Sequence, residues 1–233
     1  MILSARLILW DIDHTLVEFH KLHYELYAEA FETRFGRAPM EVPEMAGRTD
    51  RESSVRILEI NGISPSRENV SAFWAALVER MQDRQVDLPE LGHPVDGAAA
   101  TLQALAAERE FKQSVLTGNL RLLAEMKLAV FDLDVHLDLS IGGYGEDAAN
   151  RTDLVSTAQK RFHAKHGRQV KTTDIVLIGD TPLDVKAAHG SGARIIAVAT
   201  GKSTTSTLAN AGADVVMDRL DPAAVISAIR DLA

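Results

Sequence analysis

The sequence predicts an α/β protein, with an open, doubly wound, mainly parallel sheet interrupted once by a helical insertion. Three observations predict this class. Over most of the chain, short apolar runs alternate with segments of helical periodicity, the pattern of strands joined by crossover helices. Carboxylates and a hydroxyl stand directly after several of those runs, where an open parallel sheet collects its ligands. From about residue 19 to residue 91 the alternation stops, and helix signals appear without a strand pattern.

The runs that read as strands are Arg6 to Trp10, Lys112 to Leu116, His136 to Ser140, Asp174 to Ile178, Arg194 to Val198 and Asp214 to Met217. Helices are expected between them, including Asp96 to Glu108, rich in Ala and Leu, and Arg151 to His166. In the middle section Thr49 and Glu52 have capping-box spacing, Asn61 and Gly62 mark a helix end, and Ser64 with Pro65 starts another helix. The Pro- and Gly-containing stretch "LPELGHPVDG", 88–97, reads as the linker back. The expected organisation is a core made of residues 1–17 and 92–233, with a helical domain over 18–91.

A chain of 233 residues that is 46% apolar can bury a sizeable core. With 33 acidic against 25 basic residues, a formal charge of −8, it is not built to grip nucleic acid or an anionic membrane. A small phosphorylated ligand remains compatible. Having no cysteine, the chain can hold no disulfide, thiolate metal site or cysteine nucleophile. The apolar run Leu7 to Trp10, flanked by Arg6 and Asp11, is too short for a signal peptide or a membrane span, so a cytoplasmic enzyme is expected.

Four places after strands are polar in a coherent way. "DIDHT" gives Asp11 and Asp13, "TGN" gives Thr117, Gly118 and Asn119, the loop before "NRTD" leads to Arg151, and "GDTPLD" gives Asp180 and Asp184. Four carboxylates at one sheet edge repel one another unless a cation sits among them, and an all-oxygen set selects Mg²⁺. The Thr117 hydroxyl, the amides around Gly118 and Asn119, and the Arg151 guanidinium are anion-binding groups. Metal and anion pocket together read as a phosphate site.

These four motifs, in this order, resemble the haloacid dehalogenase-like (HAD) superfamily. That family carries D-x-D-x-T after its first strand, Ser or Thr after the second, then Lys or Arg, then G-D-x-x-x-D. The resemblance covers nearly the whole chain and implies a Rossmann-like core with an α-helical cap. It also implies roles: Asp11 as the nucleophile that takes the phosphoryl group, and Asp13 as general acid and base. Asp180 and Asp184 would be metal ligands, with Asp11 and the Asp13 backbone carbonyl assisting. Thr117 would bind the phosphoryl oxygens, and Arg151 would neutralise them and orient Asp11. Two positions depart from the commonest pattern: Arg151 stands where Lys is more usual, and His14 where Gly is frequent.

The resemblance implies a Mg²⁺-dependent phosphatase for a small phosphorylated metabolite, of the phosphoglycolate phosphatase-like kind. Retention of Asp13 disfavours carbon–halogen chemistry. A β-phosphoglucomutase-like mutase would use the same core residues, and a catalytically silent phosphometabolite binder would need neither Asp11 nor Asp13. In the middle section "MAGRTDRESS" places Arg48 on a loop before a helix, a candidate contact for the leaving group.

Plainer roles exist for each residue. Asp11 or Asp13 alone reads as a loop acid, "TGN" as a turn, Arg151 as a helix-start residue, Asp184 as a helix cap, and Arg48 as a solvated arginine. "GYGEDA", 143–148, matches a dinucleotide pattern but is not followed at once by a helix, and reads as a flexible loop. "GKS", 201–203, lacks the first glycine of a phosphate-binding loop. His20/His23 and His163/His166 have spacings that suggest zinc, yet no other ligands gather near them.

Overall fold

The computed structural model describes residues 6–232, so 1–5 and 233, the extreme ends of the expected core, lie outside the described residues. The chain runs β1 (Arg6–Trp10), β2 (Val17–Phe19), α1 (Leu22–Phe35), α2 (Asp50–Ile60), α3 (Arg67–Asp83), α4 (Leu88–Leu91), β3 (Gly92–Pro94), α5 (Ala98–Ala107), β4 (Phe111–Val115) and α6 (Arg121–Ala129). It continues with α7 (Arg151–His166), β5 (Ile175–Gly179), α8 (Pro182–Ser191), β6 (Arg194–Val198), α9 (Thr205–Asn210), β7 (Val215–Met217) and α10 (Pro222–Asp231). Five of the strands form one parallel sheet in the order β4-β1-β5-β6-β7.

Successive side chains of each strand point to opposite faces, and both faces are dry. Ile8, Trp10, Val176, Ile178, Ile196 and Val198 pack on one side with residues of α5 and α10. Leu7, Leu9, Ile175, Leu177, Ile195 and Ala197 pack on the other with α7 and α8. Full burial of each such side chain is worth about 1.5–3 kcal/mol, which sets the register firmly. A slip of one residue would trade the two faces.

Helices α1 to α3 bury their own cluster, including Leu26, Tyr27, Phe31, Phe73 and Leu77, with Tyr27 edge-on to Phe73 at 5.3 Å between ring centres. Entry to and exit from this section run side by side, because β2 and β3 pair antiparallel. The Thr49 hydroxyl accepts the Glu52 amide at 3.2 Å at the start of α2, and α2 ends before Asn61 and Gly62. Helix α3 is capped by Ser66, whose hydroxyl accepts the Asn69 amide, so it starts two residues later than Ser64 suggests.

The expected strand over His136 to Ser140 is absent; two 3₁₀ turns, Asp134–His136 and Leu139–Ile141, stand there. The cause is local. The Asp138 carboxylate accepts the Ser140 amide at 3.2 Å and the Ser140 hydroxyl at 2.6 Å, a turn that competes with a ladder. The adjoining loop, 143–148, is not loose: Tyr144 is buried, Gly143 bridges to Leu116, and Asp147 takes both guanidinium nitrogens of Arg161.

Candidate active site

Strands β4, β1 and β5 are neighbours, so the loops at their carboxyl ends meet. Asp11 follows β1, Thr117 to Asn119 follow β4, and Asp180 follows β5. Asp184 comes from the first turn of α8, and Arg151 opens α7. All but one of the carboxylates expected here converge. Asp11, Asp180 and Asp184 each offer an oxygen within 4.8 Å of the others, and all three are buried.

Arg151 holds this cluster together. One terminal guanidinium nitrogen lies 2.6 Å from both Asp11 Oδ1 and Asp184 Oδ1, and donates to the Leu116 carbonyl at 3.1 Å. Desolvation works against the guanidinium's charge, but Asp11 and Asp184 hold it firmly protonated. Asp184 has a second task, since its Oδ2 accepts the Thr181 amide and hydroxyl at 3.0 and 2.7 Å in a capping box. The cap role and the site role therefore coexist, one on each oxygen.

Asp180 is the least satisfied of the three. At 2% exposure it receives the Thr15 hydroxyl at 3.5 Å, the edge of hydrogen-bond range, and Gly201 backs it so closely that a Cβ there would overlap its Oδ2. Burial first, then Asp11 and Asp184, push its carboxyl well above the usual range, and burial likewise raises Asp11 despite Arg151. A buried all-oxygen set that would rather hold protons fits a hard divalent cation.

The sign of that shift fixes how stability depends on pH. The folded metal-free protein binds more protons here than the unfolded chain, so stability falls as pH rises from the ordinary carboxyl range through the raised value. In EDTA at neutral pH, Asp180→Asn is therefore expected to raise stability by on the order of 1 kcal/mol and flatten its pH dependence. It should also abolish any rise in Tm on adding Mg²⁺. A variant that melts lower than wild type in EDTA would mean that Asp180 carries no such strain.

Asp13 stands apart from the cluster. Its Oδ1 takes the Lys127 ammonium at 2.6 Å and its Oδ2 the Asn119 amide at 2.7 Å, with the carboxylate about 31% exposed. Its side chain is thus placed beside the cluster and not among its ligands. Burial would raise its carboxyl, but Lys127 overrides this, helped by His23 and Asn119, and holds it well below the usual range.

The phosphate-binding residues expected after β4 divide. Gly118 and Asn119 line a cavity of about 490 Å³ together with Asp11, Asp13, Asp180 and Arg151, whereas Thr117 does not line it. The Thr117 hydroxyl is buried and accepts the Asn119 backbone and side-chain amides at 3.2 and 2.7 Å. Its own proton stays free to donate. His14 also lines the cavity, with φ at 61°, a left-handed conformation that glycine adopts without strain.

The other wall comes from the helical insertion, through Lys21, His23, Tyr24, Met45 and Arg48. Arg48, just before α2, pairs with Glu52 of its first turn and lines the cavity. Its backbone carbonyl touches Gly118, where any Cβ would overlap it. Asp50 fastens this contact: fully buried, it accepts Tyr27 Oη at 2.8 Å and the Leu120 amide at 2.7 Å, and it lies 3.1 Å from His23 Nε2. His23 Nε2 thus belongs to the hydrogen-bond network around Asp50.

Lys127, Asp50 and Lys202 were outside the motif pattern. Lys127 alone carries a legible signal, because it sits on the apolar face of α6 with Leu123, Ala124 and Leu128.

The model of the haloacid dehalogenase-like hydrolase family matches residues 8–198. Among solved structures, a predicted phosphatase from Clostridium acetobutylicum is 18% identical with a TM-score of 0.70, over 98% of this chain and 99% of that one. A predicted phosphoglycolate phosphatase from Haemophilus somnus 129pt is 17% identical with a TM-score of 0.68, over 97% and 100%. A putative β-phosphoglucomutase from Thermotoga maritima is 20% identical with a TM-score of 0.60, over 98% and 100%. No curated protein sequence matches the chain. At these identities the solved structures speak for the fold. The family match spans the sheet from β1 to β6, the insertion and all four motifs, and this chain belongs to the haloacid dehalogenase-like hydrolases.

Proposed function

We propose that the chain is a Mg²⁺-dependent, cytoplasmic phosphatase that hydrolyses a small phosphorylated metabolite through an aspartyl-phosphate on Asp11. The observation that carries this reading is the separation of the acidic groups. Three carboxylates and Arg151 gather in one buried cluster, while a fourth, Asp13, is held two residues from the nucleophile at a cavity. Family membership and the phosphatase descriptions of similar folds support it.

Asp11, Asp180 and Asp184 would hold the cation, which when bound offsets the repulsion between a carboxylate nucleophile and a phosphate dianion. Arg151 opposes the rise in the Asp11 carboxyl pKa and aims its oxygen. An Asp11 oxygen attacks phosphorus, and the bond from phosphorus to the leaving oxygen breaks. Lys127 holds Asp13 ionised before substrate binds, so the proton enters on the phosphate monoanion and passes through Asp13 to the leaving oxygen. The Asp13 carboxylate then takes a proton from water, whose oxygen attacks the same phosphorus and releases inorganic phosphate from Asp11. The amides around Gly118 and Asn119 would receive the phosphoryl oxygens, while the Thr117 hydroxyl, behind the cavity wall, would hold Asn119 in place.

The insertion acts as a cap, with residues 18–91 closing over a core of 1–17 and 92–233. Arg48 would then exchange its Glu52 partner for an anionic part of the leaving group. The test is phosphate release from a panel of phosphoglycolate, sugar phosphates and nucleotides, with Mg²⁺ and with EDTA. Release that needs the metal and favours a few small substrates is expected. No release from any member would overturn the phosphatase reading, and isomerisation of β-glucose 1-phosphate would then replace it with the mutase.

A further inference from the structure

We propose that Lys127 is a positioning residue that acts through Asp13. Together with Asn119 it clamps the Asp13 carboxylate beside the reacting centre and apart from the Asp11, Asp180 and Asp184 cluster. This rests on the reading of Asp13 as the proton carrier. Lys127 is 1% exposed, on the buried face of α6 with Leu123 and Leu128 and at the wall of the cavity, a costly place for an ammonium that has only structural use. Its nitrogen donates to Asp13 Oδ1 at 2.6 Å and to Asn119 Oδ1 at 2.8 Å. Asn119 in turn donates to the other Asp13 oxygen at 2.7 Å and to Thr117 Oγ1 at 2.7 Å.

Both carboxylate oxygens are therefore gripped, and the gripping groups grip each other. Such a closed arrangement fixes the plane of the carboxylate as well as its position. An unclamped Asp13 would be free to swing toward the neighbouring cluster, and the cost of orienting it would return to every turnover.

The test compares an activated aryl phosphate, whose leaving oxygen departs without a proton, with an alkyl phosphate, whose leaving oxygen needs one. In Lys127→Met, kcat on the alkyl ester should fall about 100-fold with KM little changed. The first-turnover release from the aryl ester should fall far less. Adding Lys127→Met to Asp13→Asn should cost nothing further on the alkyl ester, because Lys127 works only through Asp13.

Equal losses on both esters in Lys127→Met, with Asp13→Asn still separating them, would overturn the positioning role alone. Equal losses in both variants would overturn the acid–base reading of Asp13, and this inference with it. Should Lys127→Met not fold, Asn119→Ser cuts the other arm of the clamp. The same separation of esters would then support the clamp, and its absence would refute it.

Discussion

Asp11→Asn is expected to lower phosphate release by at least about 10⁴-fold while the folded state stays at least as stable as the wild type. The two effects have one origin. Asp11 is buried against two further carboxylates, and its pKa is raised by that burial even though Arg151 opposes the shift. Asparagine keeps the volume and can still accept from Arg151 through its carbonyl oxygen, so the 2.6 Å contact has a successor. It removes one charge from a crowded cluster. What it cannot supply is an anionic oxygen for phosphorus, so no aspartyl-phosphate forms. Measuring kcat and Tm on the same preparation checks both halves. Turnover within tenfold of wild type would remove Asp11 from the role of nucleophile, whereas a sharp fall in Tm would mean that its charge is needed by the fold.

Much of this site was legible because its chemistry is carried by residues that sit directly after strands. β1, β5 and β6 are apolar runs, apart from the arginine that opens β1 and β6, and the two followed by Asp, β1 and β5, are hard to mistake for anything else. Asp11, Asp180, Asp184 and Arg151 are brought together as the spacing of their motifs implies. What stayed hidden depends on tertiary proximity. Lys127 lies 114 positions from Asp13 in sequence, and its meaning appears only when α6 lies beneath that carboxylate. Asp50 reads as one of several acids at a helix start, yet it joins the insertion to the Leu120 amide. The strand expected over His136 to Ser140 failed for a local reason, a turn made by Asp138 and Ser140 that apolar patterning does not register, and β2 and β3, three residues each, are too short to show a pattern.

Removal of the Arg151 charge is expected to be costly for folding and for turnover together. Arg151→Met keeps the length of the side chain but leaves Asp11, Asp180 and Asp184 without their cation, and taking one partner out of a buried ion-pair network costs about 3–5 kcal/mol. The loss should depend on pH in a definite direction. Asp11 and Asp180 already have raised carboxyl pKa values in the fold, and the guanidinium lowers both. Without it they rise further, so the penalty is smallest in acid and grows as pH climbs through the Asp11 value of about 7 and beyond. Urea unfolding of the metal-free wild type and variant from pH 5 to 9 reads this directly, and a penalty that does not change across that range would show that packing, not charge, is what Arg151 provides. Arg151→Lys gives the complementary arm. One guanidinium nitrogen makes the contacts to Asp11, Asp184 and the Leu116 carbonyl, while Nε is buried without a partner. An ammonium carries three donors, one for each of those three acceptors, and brings no orphaned N–H. Lysine should therefore recover most of the stability and a substantial part of kcat, although its shorter reach gives up the contact to the Gly47 carbonyl at 3.5 Å. If lysine behaves like methionine, the planar fork itself is required, and the tolerance for either cation at this position would have to come from a differently shaped cluster.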